Sequence, residues 1–303
     1  MIRVASLFPA ATEIAFAIGA GEQLVGVSHA CDYPPEARQR KAITRARFDP
    51  SEMSSREIYR QKIDTNRSFG SVFRLDESAL WGLRANVVIT QGPGDVSLVS
   101  LPGVRAIAEG LNPRPTLLIL YPRHLDDVFD DHSRVGFAVG RLQEARELLD
   151  RMQARIVAVE KTVSGVRRPH VALLHWLDPL FAGGFWSSQV IEIAGGRDVL
   201  NMAGLPPEQV DWQMLRRRDP DVLVIACEDM GIQRIREEMR LLTDRPGWHE
   251  LSAARWRRVF IGDGAVFTRA GPRLIEGLEA LAWATHPNRF PKPRREVLQP
   301  LAY

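Results

Sequence analysis

Between Asp126 and Val163 the chain carries no proline, and its only glycines there are Gly136 and Gly140. Apolar residues recur at Val135, Val139, Leu142, Ala145, Leu149, Met152, Ile156 and Val159. That three-four alternation writes one buried stripe along a helix. Gly165 and Pro169 end it. About 28 helical residues make a rod of roughly 40 Å, too long for a crossover inside one small domain. The pattern therefore predicts a spine with a separate body on either side.

The two flanks repeat one another. IRVASLF (residues 2–8) is a short apolar run suited to a buried parallel strand. Thr12 reads as the N-cap of a helix that stops at Gly19-Ala20-Gly21, and Leu24–Val27 reads as a second strand. A polar, arginine-rich stretch (36–74) follows. Next come a helix from Asp76 to Leu83, a strand over Asn86–Thr90, a turn at Gly92-Pro93-Gly94, a helix over Val104–Gly110 and a strand over Thr116–Leu120. After the spine, VALLHW (171–176) matches the first strand, Ser187–Ala194 the first helix and Gly195-Gly196 its stop. DVLNMAG (198–204) matches the second strand, and a helix over 210–219 leads to the strand PDVLVIAC. Trp248–Leu251 and RRVFIGD read as helix and strand, and Leu274–Thr285 as a last amphipathic helix. The predicted fold is α/β: two lobes with mainly parallel sheets joined by one long backbone helix. The divisions are 1–123 (first lobe), 124–168 (backbone helix), 169–290 (second lobe) and 291–303, a polar, proline-rich and loose tail.

Composition excludes some functions. Forty basic against 37 acidic residues give a net charge of +3, with no concentration of charge on one stretch. This argues against a nucleic-acid partner. No run approaches the ~20 apolar residues of a membrane span. Two cysteines, Cys31 and Cys227, give no disulfide framework. A strand begins straight after Met1 and leaves no visible leader. As written the chain is expected to be cytoplasmic, or periplasmic if a leader has been removed.

Ligands of open parallel sheets lie beyond the carboxyl ends of the strands. Here that rule selects His29, Cys31, Asp32, Gln91 and Gly92 in the first half, and His175, Trp176, Phe185, Trp186, Cys227 and Glu228 in the second. Flat aromatic surface with few polar anchors suits a large, partly apolar ligand. His29 and Cys31 are borderline and soft ligands. They lack the companion pair of a closed metal site, so they read either as a polar strand end with a half-buried thiol or as an axial ligand to a metal already chelated. No phosphate-binding glycine loop or nucleophile elbow is present.

Several pieces, in this order, resemble a known family. They are residues 6–38 (SLFPAATEIAFAIGAGEQLVGVSHACDYPPEAR), LDESALWGLRANVVIT, FAGGFWSSQVIEIAGGRDVLNMAG, DPDVLVIAC, RPGW and TRAGPRLIEGLEALA. The family is the helical-backbone (class III) substrate-binding proteins of ABC importers, and the nearest likeness is to its cobalamin-binding branch. The resemblance implies a non-catalytic protein that holds a corrinoid or similar metal chelate in a cleft between lobes, has no intrinsic cofactor and, if exported, serves an ABC permease. It carries ligand contact to His29, Ala30, Cys31, Gln91, Gly92, His175, Trp176, Phe181, Phe185, Trp186, Phe267 and Arg269, with His29 or Cys31 as axial ligand. Ala30 and Gln91 stand where the cobalamin binders carry aromatics. Ferric-siderophore or haem binding is the near alternative. A cofactor-handling enzyme using His29, Cys31, Asp32, His175, Cys227 and Glu228 is the distant one, and a free divalent-metal receptor resting on His29 and His175 is a third.

Overall fold

A computed structural model describes residues 2–92 and 99–302. The chain forms two compact units: Met1–Met53 with Glu57–Pro122 and Asp126–Arg151, and Ser54–Arg56 with Arg123–Leu125 and Met152–Tyr303.

In the first unit, β1 (Val4–Ser6), α1 (Pro9–Ala17) and β2 (Leu24–Val27) open the chain. β3 (Thr44–Ala46), α2 (Ser55–Phe69) and β4 (Phe73–Leu75) follow, then α3 (Glu77–Leu83), β5 (Val87–Gln91), α4 (Leu101–Gly110) and β6 (Thr116–Leu120). The sheet order is β2-β1-β5-β6, parallel throughout, and β3 and β4 pair apart as an antiparallel ribbon. β1 is buried along its whole length, which is why its run is continuously apolar. The turn expected at Gly92–Gly94 passes at Pro93 outside the described residues.

Thr12 does not cap α1. The helix starts three residues earlier at Pro9, whose missing N–H costs nothing in the first turn. Thr12 lies a turn inside and donates its hydroxyl to Ser6 Oγ at 2.8 Å. The predicted rod is two helices, α5 (Leu125–Ala138) and α6 (Leu142–Thr162). Gly140 adopts φ +71°. Around it Arg141 N–H reaches back to Gly136 O at 2.7 Å and Gly140 N–H to Phe137 O at 3.2 Å. These are the paired bonds of a glycine helix stop. A Cβ on Gly136 would lie 2.5 Å from Ala145 Cβ, so glycine lets the two helices approach closely. α6 starts in the first unit and ends in the second, so the backbone helix is not a separate piece of the molecule.

The second unit contains β7 (His170–Leu177), β8 (Leu180–Ala182), α7 (Ser187–Ile193), β9 (Arg197–Asp198), α8 (Trp212–Arg218) and β10 (Val222–Ile225). It continues through α9 (Ile232–Glu237), α10 (Arg240–Thr243), α11 (Ser252–Arg255), β11 (Val259–Gly262), α12 (Gly264–Thr268), α13 (Leu274–Thr285) and β12 (Leu298–Pro300). Its parallel core runs β9-β7-β10-β11, the order of the first sheet, with β8 and β12 added antiparallel. Local chemistry repeats as well. Asp76 caps α3 and Asp211 caps α8 with their carboxylates, and each helix ends on a left-handed residue, Arg84 or Asp219, before a core strand.

Three other expectations are corrected. DVLNMAG contributes only its first residue to β9, because the Asp198 carboxylate takes the N–H groups of Leu200 and Asn201 and turns the chain out of the sheet. Trp248–Leu251 is a single 3-10 turn (Trp248–Glu250) ahead of α11. The tail is not loose, since Val297 and Leu298 are buried and β12 closes the edge of β11.

Candidate functional site

In the first unit, β2 ends at Val27 and the chain turns through Ser28, His29, Ala30 and Cys31 at the carboxyl end of the sheet. His29 and Cys31 take different anchors. His29 Nδ1 lies 2.7 Å from Thr44 Oγ1, and the His29 backbone N–H donates to the same oxygen at 3.0 Å. Thr44 Oγ1 is also 2.9 Å from Ser28 Oγ. Two assignments satisfy all three contacts: with Nδ1–H and the amide donating to Thr44 and Thr44 donating to Ser28, Nε2 carries the lone pair; with Thr44 donating to Nδ1 and Ser28 donating to Thr44, Nε2 carries the proton. Phe73 meets the ring edge-on at 4.5 Å between centroids. His29 remains exposed, while partial burial of its ring lowers its pKa and favours the neutral form.

Cys31 is 3% exposed, with Sγ 3.0 Å from Thr12 Oγ1. Thr12 already donates to Ser6, so the thiol is the donor of that contact. Ala30 is half-buried between them. Gln91 and Gly92 close β5, two strands away from β2 across β1. Gly92 lies under Tyr121, whose Cβ would be 2.6 Å from a Cβ at Gly92. Tyr121, at the end of β6, was not singled out by the sequence pattern.

In the second unit, Trp176 on β7 is the cross-strand partner of Phe181 on β8. Trp176 is buried, and its indole N–H donates to Ser55 O at 3.1 Å and Asp178 O at 3.2 Å. Phe181 is half-buried. Phe185 stacks on Trp186 with ring centroids 6.1 Å apart and keeps partial exposure, while Trp186 is buried. Phe185 has φ +56°, a left-handed conformation that a bulky residue adopts only under constraint; its N–H donates to Leu205 O and its carbonyl accepts from Gly204 N–H at 2.9 Å. Phe267, on α12, is buried against Gly262 and Gly277. Arg269 follows at the end of α12 and is half-buried.

His175 Nε2 is buried without a hydrogen-bond partner, and burial pushes its pKa down to about 4 against an upward pull from the Glu228 charge. A Cβ on Gly183 would meet Nε2 at 3.2 Å. At neutral pH His175 is therefore an uncharged imidazole. Cys227 is fully buried, and desolvation raises its pKa and favours the neutral thiol. Neither cysteine is in a disulfide. Among the described residues no three His, Cys, Asp or Glu side chains gather to hold a metal ion, and no helix is long and apolar enough to cross a membrane.

The family model for periplasmic binding proteins matches residues 110–266, just over half of the chain. The protein belongs to the periplasmic binding protein family. This is a family of non-catalytic solute-binding proteins. A vitamin B12-binding protein of Photorhabdus laumondii is 24% identical over 95% of this chain and 89% of its own length. The Bacillus subtilis substrate-binding lipoprotein YvrC of an ABC transporter is 22% identical over 95% of this chain and 81% of its own. The periplasmic haem-binding protein RhuT of Roseiflexus has the same fold, with a TM-score of 0.68 and 24% identity over 94% of this chain and 98% of its own. The expectation of a cytoplasmic protein is thereby corrected. The family and the relatives across nearly the whole chain are extracytoplasmic binding proteins, and the apparent lack of a leader was no guide.

Proposed function

We propose that this member of the periplasmic binding protein family binds a corrinoid, a flat metal chelate of the cobalamin type, without transforming it, and presents it to an ABC permease. The chelate brings its own metal, so the protein needs no resident cofactor. Two observations support the reading: the likeness to a vitamin B12-binding protein along nearly the whole chain, and the chemistry of His29, which carries it. His29 is an exposed, neutral imidazole at a sheet's carboxyl end, with Nδ1 fixed by a buried hydroxyl. A partner on one ring nitrogen orients the other for metal ligation and strengthens it as a donor. Cys31 has the softer atom but lacks exposure, and its sulfur is already engaged with Thr12. Axial ligation is therefore assigned to His29. Within the second unit, Phe181 and Phe185 keep partly exposed aromatic surface, Arg269 is a half-buried cation, and Trp176, Trp186 and Phe267 are buried.

The enzyme reading is less well supported, since burial favours the neutral thiol at Cys227 and the Cys31 sulfur is buried against Thr12. The test is a titration with hydroxocobalamin, followed by its visible spectrum and by tryptophan fluorescence. Quenching with a spectral shift is expected in the parent and in Cys31→Ala, and quenching without the shift in His29→Ala. A shift that survives His29→Ala refutes the axial assignment. No response to hydroxocobalamin beside a clear response to hemin moves the ligand to haem and overturns the corrinoid reading.

A further inference from the structure

The β3–β4 ribbon places Arg45 directly opposite Arg74. Opposed residues share one face with Cβ atoms ~5 Å apart, and like charges there work against pairing. Arg47 is two residues on from Arg45, and its N–H continues the ladder to Val72 O at 2.9 Å, so it falls on that same face. Its guanidinium lies over the exposed Phe69 ring at 4.6 Å while Nε donates to Ser71 O at 3.1 Å. Among the described residues, neither the Arg45 nor the Arg74 side chain makes a hydrogen bond or an ion pair, and the Arg45 charge acts only weakly on Asp76.

These three arginines line one hollow of about 830 Å³ with an apolar wall that includes Val99, Val104 and Ile107. Two acids also border it, Asp76 and Glu77. Asp76 is committed to α3: its Oδ1 accepts from Ala79 N–H and the Ser78 hydroxyl, and these bonds, with weaker help from Arg45 and Lys41, hold its carboxyl below the usual range. A hollow of this size is that of a small-molecule pocket, ~300–1,000 Å³. Guanidinium forks match phosphate oxygens. Both arginines are exposed, so solvent screens part of their repulsion, and an anion held between the two groups would remove the rest.

We propose that this hollow binds a small phosphate monoester with an apolar body, the phosphate taken by Arg45 and Arg74 beside Arg47, and the body by the wall. The site shares no residue with the corrinoid candidates. Thr44, the neighbour of Arg45, turns to the other face of the ribbon, toward His29.

The experiment titrates the full chain with phenyl phosphate and with inorganic phosphate at low ionic strength, by calorimetry, in the parent, Arg45→Gln, Arg74→Gln and the double variant. We expect one saturable site that prefers phenyl phosphate, is weakened at least ~10-fold in each single variant, and is lost in the double. The ligand-free melting temperature of Arg45→Gln should equal or exceed that of the parent, because a repulsion has gone, and hydroxocobalamin titrations should not change. Three results each overturn the proposal: no saturable binding below ~1 mM, equal affinity in the double variant, or a loss of binding that comes with a lowered melting temperature.

Discussion

The C-terminal strand can be tested through one side chain. Leu298 is 1% exposed and lies opposite Gly262 in the β11–β12 pairing. Leu301 N–H donates to Val259 O at 2.8 Å and Asp263 N–H to Val297 O at 3.0 Å, so the tail is stitched to β11 at both ends. Leu298→Ala removes a buried side chain and leaves a cavity, a change that costs ~2–5 kcal/mol. We take about 3 kcal/mol, because the site is at a sheet edge where neighbours can relax part-way. For a unit of this size that is roughly 6–12 °C of melting temperature. The assay is urea unfolding followed by tryptophan fluorescence. Trp176, Trp186, Trp212, Trp248, Trp256 and Trp283 all lie in the second unit, so the signal reports the unit that β12 completes. A chain shortened after Glu296 should lose at least as much, since β11 then becomes a bare edge. If either change leaves the unfolding free energy within ~0.5 kcal/mol of the parent, the range of ordinary surface substitutions, the tail is not a docked strand and its burial contributes nothing.

The α5–α6 junction and the buried pair on α5 provide two further tests. Gly136→Ala gains up to ~1 kcal/mol of helix propensity but places a methyl 2.5 Å from Ala145 Cβ. Overpacking of ~1–3 kcal/mol should dominate, with rescue by adding Ala145→Gly; a stabilised single variant, measured by urea unfolding, would falsify the close approach. Burial raises the Asp131 pKa to about 6, with the Arg134 charge opposing, and lowers that of His132 to about 4. The folded state therefore favours the proton on Asp131 and disfavours it on His132. The Asp131 penalty is absent at low pH and grows as pH rises from about 4 to 6, so the stability gain of Asp131→Asn over the parent should grow over that window, toward an order of 3 kcal/mol. The His132 penalty grows as pH falls from about 6.5 to 4, so the stability of His132→Gln relative to the parent should change in the opposite direction. Urea midpoints measured across pH 4–7 read both, and parallel slopes for the two variants would refute the burial argument.

The parallel cores were legible because their strands spell continuous apolar runs between turn signals: Val87–Gln91 and Val222–Ile225 are almost wholly buried, and Thr116–Leu120, a half-buried edge strand, is apolar beyond its first residue; all emerged within a residue or two of their bounds. What escaped does not bury a continuous run. The β3 and β4 strands are three residues each and carry Arg45 and Arg74, so they vanish into a polar segment. The tail strand has one fully buried residue and ends on Pro300, a residue that a free edge tolerates and a central strand does not. The break at Gly140 was invisible for a different reason. Val135, Val139, Leu142 and Ala145 keep their three-four spacing across it, and a glycine inside such a stripe can be either tolerated or a stop. Only the fold-back that packs Ala145 against Gly136 decides which.

The same limit governs the site. Two residues apart in a strand means one shared face, and on that rule His29 and Cys31 would act as a pair. The strand ends at Val27, however, and beyond it each side chain answers to a different neighbour. Thr44 lies 15 positions from His29 and Thr12 lies 19 positions from Cys31, in opposite directions along the chain. Thr44 belongs to the ribbon that the polar segment concealed, so the hydrogen-bond partner that anchors His29 was hidden with it. Thr12 was visible but read as a helix cap, and that reading left Cys31 with an unengaged thiol. Once α1 starts at Pro9, the Thr12 hydroxyl faces inward to Ser6 and Cys31, and the sulfur becomes part of the packing beneath the sheet's carboxyl end. The different anchoring of the His29 imidazole and the Cys31 thiol thus follows from where one helix begins and where one short strand lies.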